Sequence, residues 1–210
     1  MITKPNLVYY TVVYFLRGLT KLYFRINHVD IDNIPREGGC ILACNHSSFL
    51  DPPIFGSSAG AIRPIHIVAR STLIKNRLIG WLYYNLMTIL IDRDRGDTKA
   101  LKTVLRLLKK GAMIGLFPEG TRSKDGKLQP AKNGIGFMIC KARVPVIPVY
   151  IDGSFEAMSR GSSFIKPVKI RIIYGKPITM DEFDLLGEGK ERYELVGQLV
   201  MSKIAELIPK

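Results

Sequence analysis

The residues best suited to chemistry in this sequence are His46 and Asp51, which follow the apolar run Cys40–Cys44. A spacing of five does not put both side chains on one face of a helix, which needs three or four. A compact turn can bring them together, and Pro52 favours one because the residue before proline avoids the helical region. A carboxylate bonded to one imidazole nitrogen leaves the other nitrogen free as a base. The pair could therefore deprotonate a hydroxyl that attacks a carbonyl.

The same residues have simpler interpretations. Asp51 could cap a short helix that begins at Pro52, and His46 could be a hydrogen-bonded histidine at the end of a strand. The other two histidines, His28 and His66, have no comparable neighbours, so the sequence predicts no role for them.

A second polar cluster, Phe-Pro-Glu-Gly-Thr-Arg at 117–122, also follows an apolar run. Gly120 lets the backbone turn tightly. Thr121 presents a hydroxyl, and Arg122 presents a planar guanidinium that can donate two parallel hydrogen bonds to a phosphate. Glu119 could orient Arg122 or bind a substrate hydroxyl. A polar turn with a local ion pair is the alternative.

The composition narrows the choice of partners. The chain has 31 Lys and Arg against 18 Asp and Glu, and a net charge of +13 attracts nucleic acid, anionic phospholipid or phosphorylated substrates. No zinc-finger spacing or RNA-recognition signature is present, which argues against nucleic acid. The three cysteines lack a C-x-x-C spacing, so we interpret them as small buried hydrophobes in a reducing compartment and predict no metal site.

Apolar runs and helical patterns alternate along the chain. Its 210 residues suit one domain, and the alternation predicts a single α/β domain with a mixed, largely parallel sheet flanked by helices. In such sheets, sites collect at the loops beyond the strand ends. The clearest helices are predicted at 97–110, with Asp97 as N-cap, and at 190–207. The strands are predicted at 40–44, 65–68, 88–91, 112–117, 146–151 and 168–174.

An amphipathic helix is predicted at about 5–27. Its polar face would carry Tyr10, Tyr14, Arg17, Lys21 and Arg25. The helix could pack on the core, or lie in a membrane interface with its cations on lipid phosphates. Its uncharged stretch, 5–16, is too short for the roughly 20 residues of a spanning helix, so we expect no transmembrane span. Its apolar stripe would consist of Val8, Val12, Phe15, Leu19, Leu22 and Ile26.

Another apolar and aromatic segment, 78–87, could line an acyl tunnel or form a helix buried in the core.

Taken in order, four segments resemble the motifs of the glycerolipid acyltransferases. The Asn-His-x-x-x-x-Asp at 45–51 looks like the first motif, and Ile-Asp-Arg at 91–93 is similar to the second. Phe-Pro-Glu-Gly-Thr-Arg-Ser at 117–123 is similar to the third motif, and the proline-containing run at 144–150 is similar to the fourth. The resemblance covers about 31–177. The ordered set is far more specific than any one motif.

The resemblance implies a glycerol-3-phosphate acyltransferase-like fold and a role for each motif. His46 would be the general base, oriented by Asp51. Arg70 stands where relatives often have lysine, and could help to stabilise an oxyanion. The residues that would hold the phosphate and glycerol parts of the acceptor are Arg93, Glu119, Gly120, Thr121 and Arg122.

The resemblance also implies the substrates. A fatty acyl group would pass from a thioester, acyl-CoA or acyl carrier protein, to the free hydroxyl of lysophosphatidic acid, with no cofactor or metal. We expect a membrane-associating helix at 1–28, a catalytic domain at 29–210, and peripheral or monotopic attachment to the anionic cytoplasmic face of the cell membrane. Alternatives are another acceptor, such as glycerol 3-phosphate or a different lysolipid, and a non-catalytic lipid-binding domain. A hydrolase that uses a Ser-His-Asp triad is a further alternative.

Overall fold

A computed structural model describes residues 4–92 and 97–209 of the protein. The described residues form one seven-stranded sheet. Its strands are β1 (Asn27–Val29), β2 (Cys40–Cys44), β3 (Ile65–Arg70), β4 (Ile89–Ile91), β5 (Met113–Leu116), β6 (Val146–Asp152) and β7 (Arg171–Tyr174). Their order across the sheet is β1-β7-β6-β2-β5-β3-β4.

Every pair of neighbouring strands in this sheet is parallel except β6 and β7, which are antiparallel. The central strand β2 is buried along its whole length, since both faces of the sheet are covered. Its Leu42 is paired with Gly115 of β5 and with Ile147 of β6. Because β2 and β5 are parallel neighbours, the loops that follow them leave the same edge of the sheet side by side.

Helices cover both faces of the sheet. They are α1 (Leu7–Phe24), α2 (Asp51–Gly60), α3 (Arg77–Asn85), α4 (Thr98–Lys109), α5 (Asn133–Ala142), α6 (Ser154–Ala157), α7 (Met180–Asp184) and α8 (Glu191–Ala205). On one face, Phe55 of α2 and Phe24 of α1 belong to a first apolar cluster. On the other, Val104 of α4 and Val200 of α8 belong to a second. The predicted α/β domain with a mixed, largely parallel sheet is confirmed.

The predicted strands and the two clearest helices are present with small shifts of their ends. Asp97 caps α4 as expected, because its side chain accepts a hydrogen bond of 2.9 Å from the N–H of Ala100. The strand predicted at 168–174 begins later, at Arg171. Strand β1 was not predicted, since its three residues are too few to carry an alternating pattern.

Helix α1 packs through a different face from the one predicted. Its buried residues are Tyr9, Val13, Thr20 and Phe24. The predicted apolar stripe points largely outward, with Phe15 67 % and Leu22 83 % exposed. Tyr9 anchors the helix because its hydroxyl accepts a hydrogen bond of 2.9 Å from the N–H of Ile65. The helix therefore packs on the core, which was one of the two alternatives, but mainly through another face, and most of the predicted stripe leaves an apolar surface open.

Helix α3 is not a buried core helix. Within it, only Asn85 is buried. The interpretation of 78–87 as a core helix is therefore wrong, whereas a role in an acyl tunnel stays a prediction.

In the part of the chain that the structure describes, no helix combines the length and the apolar character that crossing a bilayer requires. The three cysteines are unpaired, and the expectation of burial is confirmed for Cys40 and Cys44, while Cys140 is half-buried.

Candidate active site

The loop after β2 is fixed to its neighbours through backbone groups. The Asn45 side chain accepts a hydrogen bond of 2.7 Å from the N–H of Ile151 and donates one of 3.1 Å to its carbonyl. The N–H of His46 donates to Glu119 Oε1 at 2.8 Å, and the carbonyl of His46 accepts from the N–H of Ser123 at 2.8 Å. The loop after β5 thus holds both backbone groups of His46, and strand β6 holds the side chain of the preceding residue, Asn45.

The side chains of His46 and Asp51 form the predicted pair. His46 Nδ1 lies 2.9 Å from Asp51 Oδ2, which also accepts hydrogen bonds of 2.7 Å from the N–H groups of Ser47 and Ser48. Since the carboxylate oxygen accepts, Nδ1 carries the proton and Nε2 presents its lone pair. Nε2 makes no hydrogen bond within residues 4–92 and 97–209. The ring stacks on Phe117 at a centroid distance of 4.2 Å, which fixes its plane.

Asp51 starts α2, but it does not cap that helix. The N-cap position is Leu50, with no side-chain cap hydrogen bond, and the bonds of Asp51 Oδ2 run backward to the preceding turn. Asp51 is fully buried, and its Oδ1 has no hydrogen-bond partner among the described residues. The capping interpretation is therefore wrong, and the carboxylate serves the histidine.

Glu119 occupies a different position from the one predicted. Its carboxylate is buried and accepts from the N–H groups of His46 and of Gln129, at 2.8 and 3.2 Å. Burial raises its pKa to about 7, against the lowering effect of those two N–H groups. Among the described contacts it makes no bond to Arg122. Glu119 therefore positions the backbone of His46. Of its two predicted roles, orienting Arg122 is wrong, and binding a substrate hydroxyl stays a prediction.

Gly120 shapes the turn after β5. Its φ of 68° lies in the left-handed region that glycine adopts without strain. Its N–H closes the turn on the carbonyl of Phe117 at 3.0 Å. Thr121 is exposed and makes no hydrogen bond in the described part of the chain. The turn thus directs the next residue, Arg122, toward the loop after β2.

Arg122 is a half-buried cation without an ion-pair partner among the described residues. Its guanidinium carbon lies 3.2 Å from the centroid of the Phe49 ring. Its Nη1 is buried and has no hydrogen-bond partner in the described structure. A buried donor left unpaired costs about 1–3 kcal/mol, and more when it is charged. Burial lowers the pKa of Arg122, the nearby Arg160 lowers it further, and Asp51 opposes both.

Arg160 was missed by sequence reasoning. The segment before it packs on the loop after β2, since Ser48 Oγ donates to the carbonyl of Met158 at 2.7 Å and the hydroxyls of Ser47 and Ser154 are 3.0 Å apart. Arg160 is exposed and makes no ion pair with any described residue. It follows Arg122 by 38 residues outside every motif, so the sequence held no signal for it.

The two remaining predicted residues are Arg70 and Arg93. Arg70 ends β3 and is exposed. It lies at the same sheet edge as His46, but β5 separates β3 from β2, a backbone distance of about 10 Å. Arg93 lies outside the described residues.

Comparison with known protein families shows which family this chain belongs to. The family described as "Acyltransferase" matches residues 25–152, which include both polar loops. The chain belongs to this acyltransferase family. The resemblance predicted from the four motifs is thereby confirmed, and so is an enzyme that transfers acyl groups.

Named relatives agree with this assignment. This acyltransferase is 29 % identical over 196 residues to a 1-acyl-sn-glycerol-3-phosphate acyltransferase of Bacillus subtilis (strain 168), covering 93 % of this chain and 92 % of that one. It is 32 % identical over 168 residues to the chloroplastic BAT2 enzyme of the same name from Brassica napus, covering 78 % and 48 %. The chain thus spans about half the length of that plant relative.

The fold has a solved counterpart. The crystal structure of the 1-acyl-sn-glycerophosphate (LPA) acyltransferase PlsC from Thermotoga maritima matches with a TM-score of 0.73 and 26 % identity, covering 93 % of this chain and 79 % of that one. The mostly parallel sheet with its flanking helices is therefore the acyltransferase fold.

Proposed function

We propose that this acyltransferase transfers a fatty acyl group from a thioester, acyl-CoA or acyl carrier protein, to the 2-hydroxyl of lysophosphatidic acid. The product would be phosphatidic acid. The observation that carries the proposal lies at one sheet edge. There, an oriented imidazole occurs together with a guanidinium that has no ion-pair partner among the described residues. The names of the relatives support the acceptor.

The geometry around His46 supports its role as general base. Nδ1–H is held by Asp51, so Nε2 would take the proton of the acceptor hydroxyl as its oxygen attacks the thioester carbonyl. A new C–O bond forms, and the carbonyl electrons move to the oxygen. When the tetrahedral intermediate collapses, the C–S bond breaks and the thiolate takes the proton back from His46. Asp51 would stabilise the imidazolium in between.

The contacts of Arg122 support a role in binding phosphate. Phe49 covers one face of the guanidinium, and Nη1 lacks a partner within the described residues. A phosphate monoester carries close to two negative charges at neutral pH, and a guanidinium can donate two parallel bonds to it. Arg160, whose charge is near enough to lower the pKa of Arg122, would supply the second positive charge. Positioning of this kind can contribute about 7 kcal/mol or more to a reaction between bound partners.

The remaining sequence predictions about binding stay proposals. Gly120 and Thr121 would border the glycerol, Arg70 would lie near enough to the edge to stabilise the oxyanion, and Arg93 would add to the phosphate site. The outward residues of α1 support contact with an anionic membrane surface, in keeping with an acceptor that partitions into lipid. Attachment to the cytoplasmic face of the cell membrane stays a prediction.

The experiment is a matrix of acceptors against acyl donors with the purified protein in detergent. The acceptors are lysophosphatidic acid, glycerol 3-phosphate, lysophosphatidylglycerol and monoacylglycerol, and the donors are acyl-CoA and acyl carrier protein of matched chain length. We expect the highest kcat/KM with lysophosphatidic acid. Preference for glycerol 3-phosphate or a diester would favour the alternative acceptors, and release of free fatty acid alone would contradict the proposal.

A further inference from the structure

The segment 70–84, which runs from the end of β3 through α3, exposes large apolar side chains. Leu78 is 72 % exposed and Trp81 is 53 % exposed, and Leu73 is exposed as well. Helix α3 is well defined, since the Asn76 side chain caps it by accepting from the N–H of Ile79 at 2.9 Å. Its apolar side chains are therefore held outward by a formed helix.

The same segment is purely cationic. Arg70, Lys75 and Arg77 are all exposed, and the sequence 70–84 contains no Asp or Glu. None of the three makes an ion pair with a described residue. Exposed leucine and tryptophan beside unpaired cations are typical of helices that lie in a membrane interface, with the cations at the lipid phosphates. Tryptophan in particular prefers the level of the headgroups.

The segment adjoins the open face of α1. Asn6, at the N-cap of α1, donates a hydrogen bond of 2.7 Å to Asn85 at the end of α3. Met87, just beyond α3, is buried with Tyr9 and Val13 of α1. The two helices thus form neighbouring parts of one surface, and the segment begins with Arg70 at the sheet edge that carries His46.

We propose that the segment 70–84 is a second membrane contact, in which Leu78 and Trp81 enter the interface of an anionic bilayer and Lys75 and Arg77 bind lipid phosphates. An anionic lipid surface fits the charge, whereas a second copy of a chain with net charge +13 would be repelled. The proposal rests on the proposed function only in taking the acceptor to be a lipid. It places a second anchor beside the entrance to the site.

Helix α4 is the useful contrast. It also carries a row of exposed cations, including Lys102 and Arg106, but its apolar residues Ala100, Val104 and Leu108 are buried in the core. A bilayer could attract α4 electrostatically, but α4 has no apolar side to insert. Insertion is therefore expected at the segment 70–84 and not at α4.

Trp81 makes the test specific, because it is the one tryptophan in the sequence. Its emission is recorded with the full chain in buffer, with phosphatidylcholine vesicles and with vesicles that also contain phosphatidylglycerol. We expect a blue shift, loss of acrylamide quenching and quenching by brominated lipid, all stronger with the anionic vesicles. Binding to the vesicles is measured by sedimentation of the same samples.

Leu78→Ser is the test variant and Leu185→Ser the matched control, since Leu185 is 86 % exposed and follows α7 on the other layer. Losing one apolar anchor should weaken vesicle binding roughly five- to tenfold for L78S, and L185S should bind like the unchanged chain. Transfer in detergent should be equal for L185S and the unchanged chain.

Unchanged Trp81 emission in a chain that sediments with vesicles would overturn the proposal and leave α1 as the membrane contact. Equal binding of L78S and L185S, or failure of the chain to sediment with vesicles, would overturn it too. If Trp81 inserts but lysophosphatidic acid is not acylated in detergent, the proposed function fails and the second contact stands.

Discussion

The loops after β2 and β5 leave neighbouring strands at the same edge of the sheet, yet their functional groups differ in how many hydrogen bonds the protein gives them. In the first, one oxygen of Asp51 accepts three hydrogen bonds, and both backbone groups of His46 are bonded. In the second, a guanidinium nitrogen of Arg122 is buried with no partner among the described residues. In the first loop the protein itself supplies the hydrogen bonds that orient His46, although Asp51 Oδ1 has no partner among the described residues. In the second loop the cation has no ion-pair partner among those residues.

This difference separates two tasks. A base must hold its orientation before the substrate arrives, so its hydrogen bonds come from the protein. A cation that binds phosphate must keep its donors free, so its partner is the ligand. Glu119 connects the two loops by bonding the backbone of His46 from the loop after β5. The comparison predicts that substitutions of the base in the loop after β2 change the rate of the chemical step. Substitutions of the cation in the loop after β5 should change the binding of the acceptor.

The largest effect is expected from His46→Ala. Removing the general base should lower kcat by about 10²–10⁴-fold. The side chain of His46 is only 16 % exposed and pairs with the buried Asp51, so the melting temperature should also fall, and kcat is measured below the melting temperature of the variant. Initial rates with lysophosphatidic acid and a radiolabelled thioester give the measurement, and near-normal kcat in a folded variant would break the comparison.

The next effect is expected from Arg122→Ala. Losing charge-assisted hydrogen bonds, worth about 1.5–3 kcal/mol, should raise the KM of the acceptor roughly 10- to 150-fold. The KM of the donor should stay the same, and Arg122→Lys should recover part of the loss. Equal increases for both substrates, measured by varying each in turn, would argue against a phosphate site here.

Arg160→Ala should also raise the KM of the acceptor, but by less than Arg122→Ala. Its guanidinium is exposed and screened, so the KM for lysophosphatidic acid should rise roughly two- to fivefold, with little change for the singly charged lysophosphatidylglycerol. Arg106→Ala, which removes an exposed arginine from α4, is the control for net charge. A change of the same size in R106A would assign the effect to overall charge.

Glu119→Gln should mainly alter the pH dependence of stability. Because burial raises the pKa of Glu119 to about 7, the folded chain binds a proton that the unfolded chain releases near pH 4.5. The free energy of unfolding should therefore fall as pH rises from about 4.5 to 7. Urea midpoints across this range should show that fall in the unchanged chain and a reduced one in E119Q. Identical slopes would remove the buried carboxylate from the explanation.

Much of this arrangement could be predicted from local sequence. Pro52 and the spacing of His46 and Asp51 indicated the turn, and Gly120 indicated the second one. Arg160 could not be predicted, because its approach depends on hydrogen bonds of Ser47 and Ser48 to a segment more than 100 residues later.

Helix α1 shows a second limit. Its periodicity correctly predicted a helix, but it could not say which of two apolar faces packs inward. Tyr9, which contains a polar group, is buried because its hydroxyl bonds the backbone of Ile65, while the purely apolar stripe stays outside. From hydrophobicity alone, the apolar stripe would be placed against the core and the face that contains Tyr9 would be placed outside.

The most direct test of the central claim compares binding and single-turnover transfer in the same samples of unchanged chain, H46A and R122A. The account predicts that H46A binds lysophosphatidic acid within about threefold of the unchanged chain but transfers slowly, since the base acts only in the chemical step. R122A should bind weakly and, at saturating acceptor, transfer at nearly the normal rate. Parallel loss of binding and transfer in both variants would contradict the division between the two loops.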